Sequence, residues 1–573
     1  MEPRMVSLGW VMVVLTILTL VGLVYLGWYS YKKRLGVSIK DFFVANKALG
    51  FVVLGLALFA NAYSGNSFLG YAANSYRSGA WFIVYPQFMI AGLIGGLIIA
   101  PPLINLGKKW KYVSPFDYIE HRFNSKLVVG LALIFMIWGT FVQFAEQFLA
   151  MGYLGEVASG GVLPYRVVML IFATVILLYT AVGGFRGTAL TSAVQGILMV
   201  LSVVMMLVLI GLLGGFSKSM NIVSQVAPNK LTIPSGSIMR TWYSTIILIL
   251  LGLPTYAHVL QVYLGSLDVG NLKRSFGLQV PLFFFTAFVI WLLGLFGAGI
   301  FPNLSKLESD KIVPYLMGAL STSYSYGRTI ASFVGLGVIT ATLSTAGAAL
   351  IVLSMILSKE IYKRFINPKA SDETVIKAGR VSIGLFIILA IIMAFMPGLT
   401  IWRWTEIKFE LLLQATPVLI FGLFLHRIKK TPIIIGMLAG GVISITLTLM
   451  GFSKVYGVHS GVLGFVINSL IVLIGSYLTR EDQETERAKE ILKYRNIEIT
   501  DDGQEVKYIL PAQTKIFWIG LAVVLALLVP WYGPKSWNAS SALGLPIWTW
   551  VIVFTTVLES LFVIFGMRIW RKE

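Results

Sequence analysis

Leu58-Phe59-Ala60-Asn61-Ala62-Tyr63-Ser64-Gly65-Asn66-Ser67-Phe68-Leu69-Gly70 places small, polar and helix-weakening residues in the middle of an apolar run that extends over about 48 to 75. A hydrocarbon core about 30 Å thick needs roughly 20 apolar residues per helical span, so the run is long enough to cross a membrane. An unbroken lipid-facing helix would not carry Asn61, Ser64, Gly65, Asn66 and Ser67 at its centre. Unwinding there frees backbone carbonyls and amides, which is tolerated at membrane depth only against protein or a water-filled cavity. Freed carbonyls suit a hard cation such as sodium.

The rest of the chain has the composition this reading needs. Of 573 residues, 57% are hydrophobic and 12% charged, and the mean hydropathy of +0.83 leaves too little polar surface to cover the chain in water. About fifteen apolar stretches predict an all-α integral membrane protein, from 5 to 30 at the start to 514 to 533 and 545 to 569 at the end. The first is too long for a signal peptide and is followed by Lys32, Lys33 and Arg34, so it is expected to remain in the mature protein. Three regions follow: a membrane transport domain over 1–479, a charged cytoplasmic connector over 480–512, and two C-terminal transmembrane helices within 513–573. Arg480, Glu481, Asp482, Glu484, Glu486, Arg487, Lys489 and Glu490 make the connector a short solvated helix.

A net charge of +20 invites a nucleic-acid reading, but most of the 45 Lys and Arg fall in alternate loops and at the C-terminus. That is the positive-inside pattern, with the N-terminus outside, the C-terminus cytoplasmic and the chain multi-pass in the cell membrane. The basic clusters meet anionic lipid, not nucleic acid. Cysteine is absent, which removes disulfides, thiolate metal sites and cysteine nucleophiles. His121, His258, His426 and His459 are scattered without metal-site spacing. No phosphate-binding glycine loop appears, so the chain is not read as an enzyme, and transport must draw on an ion gradient or run downhill.

The seventh span, about 241 to 266, carries a second interruption, Gly252-Leu253-Pro254-Thr255-Tyr256-Ala257-His258. Spans 2 and 7 are five apart, and interrupted helices at matching positions of two five-span units point to an inverted repeat with its site at the repeat interface. The core repeat covers about 48–427 as a 5+5 arrangement with discontinuous first helices. In the ninth span, about 329 to 363, Ala341, Ser344 and Thr345 stand at i, i+3 and i+4 and share one face. Two hydroxyls from that face with carbonyls of the unwound second span would form a neutral, all-oxygen cation site. Bonding back to the preceding helical turn is the competing role for such hydroxyls.

These segments resemble the sodium:solute symporter family, with its leucine-transporter-type inverted repeat. The matching pieces are Asp41-Phe42-Phe43-Val44-Ala45 with Leu49-Gly50, then the Ser64-Gly65 break and Tyr76-Arg77-Ser78-Gly79. The run Tyr179-Thr180-Ala181-Val182-Gly183-Gly184-Phe185-Arg186 with Thr191 and Gln195 follows, then Leu343-Ser344-Thr345-Ala346 and Ser358-Lys359-Glu360-Ile361-Tyr362. The resemblance implies sodium as coupling ion, held by carbonyls of Ala60, Tyr63 and Ala341 and hydroxyls of Ser344 and Thr345. It implies a small organic solute against Asn61, Ser64, Asn66, Ser67, Tyr256 and His258. Ser192, Ala62 and Gly347 stand where the family commonly has acids, which makes a second sodium unexpected and Ser192 a candidate coupling position. The stretch around Ala257-His258 resembles the monocarboxylate-carrying branch.

The function these residues predict is sodium-coupled import of a small solute, a monocarboxylate or an amino acid, by alternating access. The alternatives are a proton-coupled or uncoupled carrier of the same fold and a membrane-embedded solute sensor. Glu146, in the fourth span at about 127 to 155, is the candidate proton carrier or solute anchor. Its place in the run predicts an interfacial carboxylate in the outer third, without an acidic partner in adjacent spans and not required for coupling. His258 is expected in the core, satisfied by one hydrogen bond. The topology is tested by cysteine labelling in the cysteine-free background: an impermeant thiol reagent applied to intact cells labels Ser217→Cys and not Gln504→Cys, and the reverse pattern inverts the model.

Overall fold

The computed structural model describes residues 4–32, 50–396, 398–500 and 502–573, with side chains at 30–31, 178–179, 181–187 and 189 left aside. In chain order the helices are α1 (Gly9–Lys32), α2 (Phe51–Ala62), α3 (Gly65–Ser78), α4 (Val84–Lys109), α5 (Pro115–Phe123), α6 (Lys126–Ala158) and α7 (Tyr165–Leu212). Then come α8 (Phe216–Val226), α9 (Gly236–Gly252), α10 (Ala257–Leu264), α11 (Val269–Ile300), α12 (Ile312–Ser323), α13 (Gly327–Met355) and α14 (Asp372–Ala394). The chain continues with α15 (Ile401–Leu412), α16 (Thr416–Phe424), α17 (Lys430–Leu449), α18 (Ser460–Leu478), α19 (Gln483–Leu492), α20 (Lys515–Leu527) and α21 (Ile547–Ile569).

Among the described residues twelve helices are long and apolar enough to cross a membrane, and the bent pair α2–α3 makes a thirteenth span. The other two of the fifteen expected stretches correspond to the shorter apolar helices Tyr165–Leu177 and Lys515–Leu527. Stretches 162 to 184 and 188 to 215 both fall within the 48 residues of α7, about 72 Å at 1.5 Å per residue and so more than one crossing needs; its apolar parts are Tyr165–Leu177 and Leu190–Leu212. The stretch 514 to 533 yields only the 13 residues of α20, about 20 Å at 1.5 Å per residue. Pro530 disfavours helical geometry at the residue before it, and the helix stops short of it.

The second span breaks where its polar centre demands it. Tyr63 leaves the helix with φ −95° and ψ 105°, and Ser64 follows with φ −97° and ψ 172°. The two halves meet at a 49° bend. Ser64 Oγ accepts from the Ser67 amide and Ser67 Oγ accepts from the Ser64 amide, at 3.3 and 3.1 Å, a reciprocal capping box that restarts the helix. The Gly65 amide is taken by Gln147 Oε1 of α6 at 3.0 Å. Glycine is required at 65, since a Cβ there would lie 2.2 Å from Thr342 Oγ1 and 2.8 Å from the Ala150 methyl. The seventh span breaks differently: α9 tightens into a 3₁₀ turn at Leu253–Thr255, and Tyr256 is extended before α10 resumes.

α2 and α3 pack on α11, and α13 runs along α6 and α7, so the first break is enclosed on all sides by protein. Outside the bundle, the charged connector forms more than a solvated helix. Thr485, Ala488, Ile491 and Leu492 of α19 are buried, and strands β3 (Ile497–Ile499) and β4 (Glu505–Ile509) form a hairpin. The C-terminal strand β5 (Arg571–Lys572) adds to β4, while β1 (Lys454–Val455) and β2 (Val458–His459) form a separate two-residue ladder. Glu498 of β3 takes Lys108 Nζ at 2.8 Å and the Val269 amide at 3.2 Å, which ties the connector to the ends of α4 and α11.

A close helix approach near the break supplies a test. A Cβ at Gly294 of α11 would lie 2.1 Å from the Ala72 carbonyl of α3, whereas one at Gly384 of α14 meets nothing within 4 Å. Gly294→Ala is expected to lose about 1–3 kcal/mol through overpacking and to lower the unfolding temperature in detergent; Gly384→Ala leaves it unchanged.

Candidate functional site

The first break and α13 bring five oxygens together. Ser344 Oγ donates to the Ala60 carbonyl at 2.8 Å and to the Ala341 carbonyl at 3.0 Å. Thr345 Oγ1 lies 3.5 Å from both the Ala60 and Tyr63 carbonyls. All five residues are buried. Bonding back to its own helix accounts for one of the Ser344 contacts and neither of the Thr345 contacts. The Ala60 and Tyr63 carbonyls are free to face α13 because the helix ends there. Tyr63 is pinned from the other side by its hydroxyl, which donates to the Phe283 carbonyl at 2.6 Å. The donor set is oxygen-only and uncharged, which fits a hard monovalent cation; no cluster of His, Asp or Glu suited to a metal exists among the described residues.

Of the six residues expected around the solute, three line one small closed cleft. Asn61, Tyr256 and His258 face it together with Tyr71, Phe88, Gln143 and Phe409. Tyr256 Oη donates to Gln143 Oε1 at 3.4 Å, and the His258 ring lies 4.8 Å from that of Tyr256. His258 is buried and its Nδ1 has no hydrogen-bond partner. Ser64 and Ser67 do not line this cleft, because their hydroxyls cap α3. Asn66 turns away to α6 and α15. Asn61 also accepts from Ser192 Oγ at 3.2 Å, so Ser192 tethers α7 to the lip of the first break.

Glu146 corrects the expectation drawn from its position in the chain. It is fully buried, not interfacial, and its partner is basic: Lys408 Nζ of α15 lies 2.6 Å from Glu146 Oε2. Asn66 Nδ2 donates to the same oxygen at 3.1 Å, and Thr405 Oγ1 to Oε1 at 3.1 Å. Lys408 Nζ also donates to Gln143 Oε1. Sequence reasoning missed Lys408 although a signal existed, since α15 carries Arg403, Glu406, Lys408 and Glu410 within 12 residues. An ionisable residue inside a span marks a site with a partner. The other three answer one another, Arg403 reaching Glu406 at 3.0 Å and Glu410 at 3.3 Å.

Above the cleft, Trp402 packs on Tyr71 and Phe82 with ring centroids 5.3 and 5.2 Å apart, separating it from a second cavity of about 210 Å³ lined by Arg77, Lys306, Arg403 and Lys454. The segment Asp41–Ala45 and Leu49 lies outside the described residues, and so do the side chains of the 179–186 run except Thr180.

A helix broken over a neutral oxygen cluster, with a second broken helix across a closed cleft, marks a secondary membrane transporter. The sodium:solute symporter family model matches residues 42–440, and the chain belongs to that family. It is therefore a sodium-coupled symporter and not an enzyme. An osmoregulated proline transporter of Bacillus subtilis is 23% identical, covering 80% of this chain and 93% of its own. A sodium/pantothenate symporter of Escherichia coli is 24% identical, covering 78% and 92%. A solved Na+-coupled sialic acid symporter, in a substrate-bound outward-open state, superposes with a TM-score of 0.67 at 19% identity over 83% of this chain and all of that one. The leucine-transporter-type fold expected from the paired breaks is shared.

The buried pair has a signature in stability. Lys408→Met alone leaves Glu146 as a buried unpaired charge and is expected to cost about 3–5 kcal/mol, while Glu146→Gln combined with Lys408→Met stays close to the parent. Thermal unfolding of the two singles and the double measures the coupling; additive losses would show that the two side chains do not interact.

Proposed function

We propose that this symporter imports one small organic carboxylate with one sodium ion, the ion held by the carbonyls of Ala60, Tyr63 and Ala341 and the hydroxyls of Ser344 and Thr345. The observation that carries this reading is the convergence of those oxygens across the first break. Sodium on five oxygens drawn from α2 and α13 links the broken helix to its neighbour, so occupancy favours the conformation in which the adjacent cleft is formed. Asn61, Tyr256 and His258 are the solute contacts. The relatives' named solutes, proline and pantothenate, share a carboxylate. Glu146 is read as a fixed charge partner and not as a proton carrier, since three donors hold its carboxylate.

The basic residues support a cell-membrane location with the N-terminus outside and the connector inside. On this topology the outer cavity behind Trp402 faces the medium, and the connector sheet caps the cytoplasmic ends of α4 and α11. The connector over 480–512 is then a structural clasp between the transport domain and the two C-terminal helices.

Ser344→Ala with Thr345→Ala removes two of the five ligands and leaves carbonyls beside a cavity. The double variant is expected to need about ten- to a hundredfold more sodium for half-maximal solute uptake, and by reciprocal linkage to lose solute affinity by the same factor when sodium is present. The measurement is uptake against sodium concentration in vesicles. Superimposable curves for variant and parent would remove these residues from the ion site.

A further inference from the structure

We infer that Lys408 and Tyr256 are the charge anchor for the solute carboxylate, and that Gln143 Oε1 occupies the anchor's place when no solute is bound. This rests on the reading of the cleft as the solute site. Two donors from different helices converge on that one amide oxygen: Lys408 Nζ of α15, and Tyr256 Oη from the break before α10 at 3.4 Å. An ammonium and a phenol hydroxyl aimed at one oxygen are what a carboxylate oxygen accepts well, since charge-assisted bonds are roughly twice as strong as neutral ones. A neutral glutamine amide satisfies both donors in the solute's absence without adding charge. Gln143 lines the cleft, so its side chain can yield its position to an entering group. His258 Nδ1, buried in the same cleft with no partner, is a second polar atom left for the ligand's other end.

The surroundings decide the class of carboxylate. A zwitterionic amino acid needs an acceptor for its ammonium, and the nearest carboxylate, Glu146, already accepts from Lys408, Asn66 and Thr405. Neither Glu146 nor Lys408 lines the cleft itself, but the Lys408 ammonium reaches its edge through Gln143 Oε1, while all the donors on Glu146 come from Lys408, Asn66 and Thr405. The remaining walls are largely apolar, with Tyr71, Phe88 and Phe409 beside Met89, Ile249 and Leu253. The site therefore takes a monocarboxylate with an apolar or weakly polar remainder. Glu146 keeps the Lys408 ammonium charged and in position at a depth where an unpaired ion would be costly. With the pair neutral, one carboxylate and one sodium ion enter as a neutral unit.

The test uses purified full-length protein, thermal unfolding, and four probes: propionate, pyruvate, L-proline and propionamide, the neutral counterpart of propionate. Each is added in sodium chloride and in choline chloride. In the parent, propionate or pyruvate stabilises only with sodium, and propionamide binds at least tenfold more weakly. Gln143→Glu installs a permanent carboxylate on the anchor, and the paired Glu146→Gln and Lys408→Met change removes the ammonium without stranding a charge. Both lose the carboxylate response and keep the stabilisation by sodium alone. The inference is overturned if propionamide equals propionate, if proline alone stabilises, if neither propionate nor pyruvate does, or if Gln143→Glu still responds to them. Loss of the sodium-only response in the parent would instead overturn the ion site, so the two failures are distinguishable.

Discussion

The structure depends on one constraint: a backbone amide or carbonyl released at membrane depth must find a partner in protein, because lipid offers none. The second span releases such groups at Tyr63 and Ser64, and everything around the break answers them. Ser67 and Gln147 take the Ser64 and Gly65 amides of the restarting helix, while the hydroxyls of Ser344 and Thr345 meet the carbonyls of the ending one. The glycine at 65 and the small residues along α13 follow from the need to bring three helices this close. The uncharged oxygen cluster at the break is thus a by-product of completing the backbone's hydrogen bonds, with carbonyls that a continuous helix would have kept to itself.

The same low dielectric governs the side chains. Charges inside the bundle occur in contact with opposite charges, as in Glu146 with Lys408 and Arg403 with Glu406 and Glu410. Two charges among the described residues depart from this: Glu559 of α21, buried with neither carboxylate oxygen bonded, and Arg122 of α5, buried and held by backbone carbonyls. The Glu146 pair differs from the others in sitting one side chain away from the cleft, with Gln143 between. Its position joins α6 and α15, and through Asn66 it also touches the half of the broken span that lies beyond the bend. A direct hydrogen bond therefore links α3 to this pair. The connector sheet holds the opposite end of the bundle through Glu498, where Lys108 and the start of α11 meet.

Much of this was legible in the sequence, because it is written in local pattern. Apolar runs announce spans, interruptions by Gly, Pro, Ser and Asn announce breaks, and i, i+3, i+4 spacing puts Ala341, Ser344 and Thr345 on one face. The capping role of Ser64 and Ser67 is equally local, a pair three residues apart at a helix start. The shortness of α20 has the same origin, since hydropathy measures a run without showing that a proline ends its helix early.

Tertiary structure decided what depended on residues remote in the chain. Glu146 and Lys408 are 262 positions apart, and depth estimated along one helix could not reveal that a lysine on another meets it. Gln143 gained its meaning in the same way, from two donors on separate helices. The sequence by itself determined that this chain spans a membrane, where its helices break and which oxygens face the first break, because those properties follow from periodicity and backbone chemistry. Which buried charges pair, which polar side chains face the cleft, and how the connector joins the C-terminal strand were decided only by packing, since each requires groups brought within about 3 Å from distant segments.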